Sequence, residues 1–310
     1  MEPLITRLVA TSVSIANRAG RIVRDILSKG DLGIVEKGKN DYQTEADRSA
    51  QRCILASLHK AFPKVSVFGE EELDSRPVPQ EWIETTVNEE VIKTTANKLP
   101  DTLKAVKDED ICIWVDPLDG TAEYTQGLLD HVTVLIGIAV KGRSVAGVVY
   151  QPYYNYQAGQ DATLGRSIWG IIGVGTFGHQ ANKPPEGQNI ITTTRSHSTR
   201  AVVLAVDACE PTEVLRVGGA GHKVLLILEG KAHAYVFASP GCKKWDTCAP
   251  EAILHAAGGK LTDIHGNDFT YEPTVQRRNT GGVLGTPRAE DHKWYLDHIP
   301  QEVREALPIS

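Results

Sequence analysis

The sequence has no run of about 18 apolar residues, so nothing in it is long enough to cross a bilayer as a helix. It has no N-x-[ST] sequon, and Met1-Glu2-Pro3-Leu4 carries neither the basic nor the apolar block of a signal peptide. Its five cysteines, Cys53, Cys112, Cys209, Cys242 and Cys248, are odd in number and widely spaced. They form no C-x-x-C pair and no Cys/His set of zinc type, which excludes a disulfide framework and a structural zinc. The expectation is a cytoplasmic protein with reduced thiols. Positive charge is not in excess either: 33 Lys and Arg face 39 Asp and Glu, a formal net charge of -6. Neither a nucleic-acid polymer nor a membrane surface is an expected partner, while a small basic pocket for a phosphorylated ligand remains open.

What is present is an ordinary globular composition, 41% hydrophobic and 23% charged over 310 residues. Apolar residues recur at helical spacing over 4–28, ended by Gly30, and again over 44–61, where Thr44 is the natural N-cap and Asp47 sits three residues on. Strands are predicted at 65–68, 111–115, 132–140 and 144–150, the last two joined by a hairpin at Lys141-Gly142-Arg143. The acidic, proline-interrupted stretch 72–110 reads as a surface excursion with helix around 81–95, and 153–165 as a loop followed by an apolar run over 168–174. Beyond it, strands (190–194, 214–217, 233–238, 260–264) alternate with helices (221–229, 246–257, 290–298). An α+β half over 1–155 and an α/β half over 156–310 are therefore expected.

The carboxylates carry the chemistry. In Trp114-Val115-Asp116-Pro117-Leu118-Asp119-Gly120-Thr121 a strand delivers Asp116, Pro117 fixes one φ, and Gly120 permits a sharp exit. A turn there puts Asp116 and Asp119 on one side with the Leu118 carbonyl between them, the mixed oxygen set that a hard cation such as Mg²⁺ takes. Two bare carboxylates ~4 Å apart repel by ~4 kcal/mol at an effective dielectric near 20, and a cation reverses that sign. The segment alone reads equally as a turn dipeptide beside an incidental acid. Glu70 follows a strand and a glycine; Asp47 and Asp246 stand at helix starts, where each also reads as a capping or dipole-complementing acid. Glu71 and Glu72 read as solvated neighbours.

Taken in order, Gly69-Glu70-Glu71, the Trp114–Thr121 segment and Lys244-Trp245-Asp246-Thr247-Cys248-Ala249-Pro250 resemble the inositol monophosphatase superfamily of magnesium-dependent, lithium-sensitive phosphatases, over nearly the whole chain. Four longer strings, at 33–37, 191–198, 218–221 and 238–246, resemble its nucleotide-hydrolysing branch. The resemblance implies a layered αβαβα sandwich of the sugar-phosphatase type, a monomer built around one cleft. It implies two or more Mg²⁺ ions, one held by Glu70, Asp116 and the Leu118 carbonyl, the other by Asp116, Asp119 and Asp246. Thr121 paired with Asp47 would deprotonate the attacking water. The substrate implied is a small nucleotide bisphosphate, adenosine 3',5'-bisphosphate losing its 3'-phosphate, with its sulfated analogue and inositol 1,4-bisphosphate as further substrates. An inositol phosphate as main substrate and a non-catalytic sensor are the alternatives.

Thr194, His197, Gly219 and Lys223 match positions that contact the nucleoside monophosphate in that branch. On their own, His197 reads as a surface histidine and the glycines as a turn before a helix whose amides can hold an anion. Gly173-Val174-Gly175-Thr176-Phe177-Gly178 fits G-x-G-x-x-G, but no helix is predicted after it, and Gly218–Lys223 lacks the Gly-Lys-Ser/Thr order of a P-loop. Ala122 stands where close relatives often carry lysine, which removes a positive charge beside the carboxylates.

Overall fold

The computed structural model describes residues 2–38, 41–72, 75–159 and 162–309. Residues 160 and 161, inside the expected 153–165 loop, lie outside them. In chain order the first elements are α1 (Leu4–Lys29), β1 (Val35–Gly38), β2 (Asp41–Gln43), α2 (Glu45–Ala61), β3 (Ser66–Gly69), α3 (Glu89–Thr95), α4 (Asp101–Lys104), β4 (Ile111–Asp119) and α5 (Thr121–Thr125). Then come β5 (Thr133–Val140), β6 (Arg143–Gln151), β7 (Arg166–Ile171), β8 (Gly175–Phe177), β9 (Ile190–Thr194), α6 (Arg200–Ala208), β10 (Glu213–Val217) and α7 (Ala220–Leu228). The chain ends with β11 (Ala234–Phe237), α8 (Lys244–Ala256), β12 (Lys260–Thr262), β13 (Val283–Thr286), α9 (Ala289–His298) and α10 (Gln301–Ala306).

Two sheets organise the molecule. The first runs β3-β4-β5-β6-β7-β8, antiparallel except for the parallel β3–β4 pair. The second runs β10-β9-β11-β13-β12, with β10, β9 and β11 parallel. From β9 the chain crosses through α6 to β10 on one side, then returns through α7 to β11 on the other. Right-handed crossovers in opposite directions put their helices on opposite faces, so α6 and α7 flank the second sheet. Helices α1 and α2 pack on the first sheet; α7 and α8 lie between the sheets, and α6 and α9 pack on the second. The order is αβαβα, as the resemblance implied.

Strand β4 shows how the sheet is held. All nine of its residues are buried, so both faces must be apolar. Ile113 and Val115 join one core with α1 and α2, while Cys112 and Trp114 join the core between the sheets. Helix α8 lies so close to β6 that a Cβ on Gly147 would fall within 3.0 Å of backbone atoms of Ala249. Neither backbone can yield without moving the sheet, so Gly147→Ala should cost about 1–3 kcal/mol, read as a lower denaturation midpoint with unchanged slope.

Most expected elements stand where the periodicity puts them, with two differences. The helix expected around 81–95 is a 3₁₀ turn at Gln80–Trp82 followed by α3, which begins where the Asn88 side chain accepts the Val91 N–H. Strand β4 continues through Asp119, so the two aspartates sit on a strand end with an irregular register between Asp116 and Asp119, and not on a turn. The Gly173–Gly178 run contains β8, which pairs with β7 in the first sheet, and among the described residues no helix directly follows it, as expected. None of the helices is long and apolar enough to cross a membrane, among the described residues.

Candidate active site

The site forms where β4, α2, α7 and α8 converge. Oxygens of Asp116, Asp119 and Asp246 all lie within 4.8 Å of one another. The Asp116 side chain accepts the Leu118 N–H at 3.0 Å, which folds the strand end back on itself. Asp119 accepts from the Ala220 and Gly221 amides, both at 2.8 Å, and from the Thr133 hydroxyl at 2.7 Å. The first turn of α7 is thus tied to the end of β4, and the aspartate meets the positive end of a helix. Asp246 caps α8 by accepting the Lys243 N–H at 2.7 Å.

Burial raises all three carboxyls. Asp116 is pushed well above the usual range, first by desolvation and then by the charges of Glu70, Asp119 and Asp246. Asp246 is raised to about 6 by desolvation and Asp119, and Asp119 is raised by desolvation against its four hydrogen-bonding and charged partners. Glu70 is raised to about 8 by desolvation and Asp246, although Lys37 at 3.5 Å and Lys243 at 3.8 Å oppose this. Glu70 flanks the three aspartates without joining their cluster.

This donor set fits a hard divalent cation. It is all oxygen, and two oxygens on one Mg²⁺ lie about 4.2 Å apart at most, since each bond is about 2.1 Å. A cluster within 4.8 Å needs only a small closure. The raised carboxyls point the same way: burial and mutual repulsion disfavour their charged forms, which a bound cation would stabilise.

Asp47 does two things at once. Its Oδ2 accepts the Thr44 N–H at 2.7 Å and the Thr44 hydroxyl at 2.5 Å, completing the capping box of α2. Its Oδ1 accepts the Thr121 hydroxyl at 2.9 Å, across 74 residues of sequence. The Thr121 oxygen also lies 3.0 Å from the Leu118 carbonyl. A hydroxyl has one hydrogen, so when it points to Asp47 the Leu118 carbonyl lone pairs stay available. Desolvation raises Asp47 to about 6, against the hydrogen bonds from Thr44.

A cavity of about 290 Å³ opens on this cluster and is lined by Asp119, Thr121, Asp246, Thr194, His197, Gly219 and Lys223 together. Gly219 has φ 70°, and a Cβ there would lie 2.6 Å from the His131 carbonyl oxygen, so the turn before α7 requires glycine. Thr194, at the end of β9, accepts the His197 N–H at 3.1 Å, and the His197 side chain is exposed beside the cavity. Lys223 is buried, and its Nζ donates to the Gly219 carbonyl at 2.8 Å. Asp116 and Leu118 belong to the same strand end, buried behind the cavity wall.

Several residues were not legible beforehand. Glu71 is buried rather than solvated: it is paired with Lys37 at 2.8 Å and also accepts from Gln43. Lys37, from the β1–β2 hairpin, holds both glutamates, and that hairpin has too short a strand pattern to be read from periodicity. Buried Glu123 takes the Arg195 guanidinium at 3.3 Å beside Gly218, a pairing that only the tertiary fold reveals.

A family model described as the inositol monophosphatase family matches residues 5–302. The 3'(2'),5'-bisphosphate nucleotidase 1 of Homo sapiens is 57% identical over 305 residues, spanning 98% of this chain and 97% of that protein. The protein of that name from Dictyostelium discoideum is 38% identical over 94% of this chain and 96% of its own length. A Golgi-resident adenosine 3',5'-bisphosphate 3'-phosphatase of Bos taurus is 31% identical over 96% of this chain and 80% of that protein. Among solved structures, the extragenic suppressor protein suhB of Bartonella henselae superposes with a TM-score of 0.69 at 21% identity, covering 95% of this chain and 98% of that one. An IMPase/NADP phosphatase solved with Mg²⁺ and phosphate superposes at 0.62 and 15% identity, with 91% of each chain covered. These last two establish the fold.

Proposed function

The chain belongs to the inositol monophosphatase family, and from that premise we propose that it is a Mg²⁺-dependent phosphatase that removes the 3'-phosphate of adenosine 3',5'-bisphosphate, giving AMP and phosphate. One observation carries this reading: a single cavity is lined by the buried acids and by Thr194, His197, Gly219 and Lys223. The nucleotidases just described support it.

In this reading Glu70, Asp116 and the Leu118 carbonyl would hold one Mg²⁺, and Asp116, Asp119 and Asp246 would hold a second. Bound there, Mg²⁺ would supply Lewis-acid stabilisation of the entering and leaving oxygens and would lower the pKa of a bound water. The chain's residues do the rest. Thr121 accepts a proton from the attacking water and passes its own to Asp47 Oδ1, since a threonine hydroxyl without a carboxylate behind it is a poor base. Asp119 keeps the α7 start in register with the carboxylates, so the phosphate to be cleaved and the nucleoside are held by one rigid unit. Lys223 supports the turn from behind through the Gly219 carbonyl. Gly219 lets the backbone approach the nucleotide, and Thr194 and His197 flank it from the end of β9. Lithium inhibition, a monomeric state and a cytoplasmic setting for the five buried thiols complete the reading.

The test is phosphate release by purified protein in Mg²⁺ from adenosine 3',5'-bisphosphate, its sulfated analogue, inositol 1,4-bisphosphate and an inositol monophosphate. The nucleotide is expected to have the highest kcat/KM. A preference for either inositol substrate overturns the assignment, and AMP binding without turnover of any substrate would make the protein a sensor.

A further inference from the structure

Arg277 and Arg278 are chain neighbours that face opposite ways. Arg278 forms an antiparallel bridge with Lys243, just before α8, and successive side chains of an extended chain go to opposite sides. Arg277 lies over the rings of Phe68 and Trp114, 4.3 and 4.7 Å from their centroids. Arg278 is exposed and lines the cavity that holds Asp119, Thr121, Thr194 and Lys223.

The cavity's other cations are already engaged. Lys223 donates to the Gly219 carbonyl, and Lys243 faces Glu70 and the Trp245 ring. Arg278 forms no ion pair among the described residues. A bisphosphate brings two anions into a cavity whose acids are Glu70, Asp119, Glu123 and Asp246. One phosphate goes to the carboxylate cluster to be cleaved. The other needs a cation of its own, and Ala122 offers none.

We propose that Arg278 is a specificity-determining residue that binds the phosphate the enzyme leaves in place, the 5'-phosphate of the nucleotide. The proposal rests on the nucleotide reading above. A planar fork of N–H donors matches phosphate oxygens, and lysine copies it only in part.

Binding of AMP and of adenosine in Mg²⁺, measured by calorimetry on wild type, Arg278→Ala and Arg278→Lys, tests it. Arg278→Ala should weaken AMP about tenfold, the low end for a charge-assisted contact at an exposed site, and leave adenosine within twofold. Arg278→Lys should recover part of the AMP affinity. The kcat/KM ratio of adenosine 3',5'-bisphosphate to 3'-AMP should fall with the AMP affinity. Unchanged AMP affinity in Arg278→Ala, or an equal loss for adenosine, overturns the role of Arg278 and leaves the nucleotide reading intact. A wild-type protein that turns over inositol phosphates but binds neither AMP nor adenosine overturns both.

Discussion

Replacing Asp116 with Asn is expected to cut phosphate release about 10²–10⁴-fold, while making the metal-free protein more stable at pH 7. The first half follows from its place: Asp116 is the acid assigned to both ions, and several kcal/mol of transition-state charge stabilisation depend on them. The second half follows from its raised pKa. An acid whose folded pKa lies above its unfolded value near 3.9 binds more protons in the folded state between the two values. Stability therefore falls as pH rises through that window, which opens near pH 4, extends to about 8 for Glu70 and to about 6 for Asp246, and for Asp116 extends well above the usual carboxylate range. At pH 7 the unfolded chain carries these carboxyls ionised, so the folded state must either bear their mutual repulsion, up to ~4 kcal/mol for a close pair at an effective dielectric near 20, or take up protons to avoid it, and both cost stability. Asn at 116 is neutral in both states and keeps an oxygen for the Leu118 N–H, so it removes that cost without opening a cavity.

The two effects cross when Mg²⁺ is added. Wild type should gain stability with rising Mg²⁺, by about 2.7 kcal/mol at a hundred times the Kd, while the Asn variant gains much less. Thermal melts in chelator and in Mg²⁺ read this directly. A variant that melts lower than wild type in chelator would show that the cluster is not under electrostatic strain; near-normal turnover would remove Asp116 from the site.

The cluster's chemistry was legible because it lies in short segments: a strand end, a strand–glycine–glutamate step and a helix start. Each fixes its acid locally, and the convergence follows once β3, β4 and α8 pack. Asp47 was legible only as one of two readings, and the structure gives it both, because a carboxylate has enough lone pairs to cap α2 and face Thr121. What stayed hidden depends on long-range pairing. That Glu71 is buried follows from Lys37 and Gln51, which arrive from other elements. Likewise α6, β13 and α10 lack a distinctive period, since Val-Val-Leu-Ala-Val in α6 suits a buried strand equally well. That Asp119 binds the first amides of α7 could not be foreseen, although it physically joins the acids to the nucleotide turn.

Asp47→Asn should lower kcat by about 10²–10³ with little change in KM, within the range of one general base. An amide has a single acceptor oxygen and an NH₂ donor. It cannot accept from Thr44 on one side and from Thr121 on the other, so one partnership is lost. Loss of the cap costs helix stability of about 1 kcal/mol, which a thermal melt measures separately. That is too small to account for a thousandfold loss, about 4 kcal/mol in activation free energy. The relay also fixes the pH profile. Asp47 works as a base only when ionised, and burial holds it at about 6, so wild-type kcat should fall tenfold per pH unit below that value. Asp47→Asn should lose this acid limb along with the rate. Thr121→Ala should match it in kcat, Thr121→Ser should recover most activity, and the double variant should be no worse than the poorer single one, because the two groups move one proton. Additive losses, or a change confined to KM, would separate Asp47 from Thr121 and leave it only the helix cap.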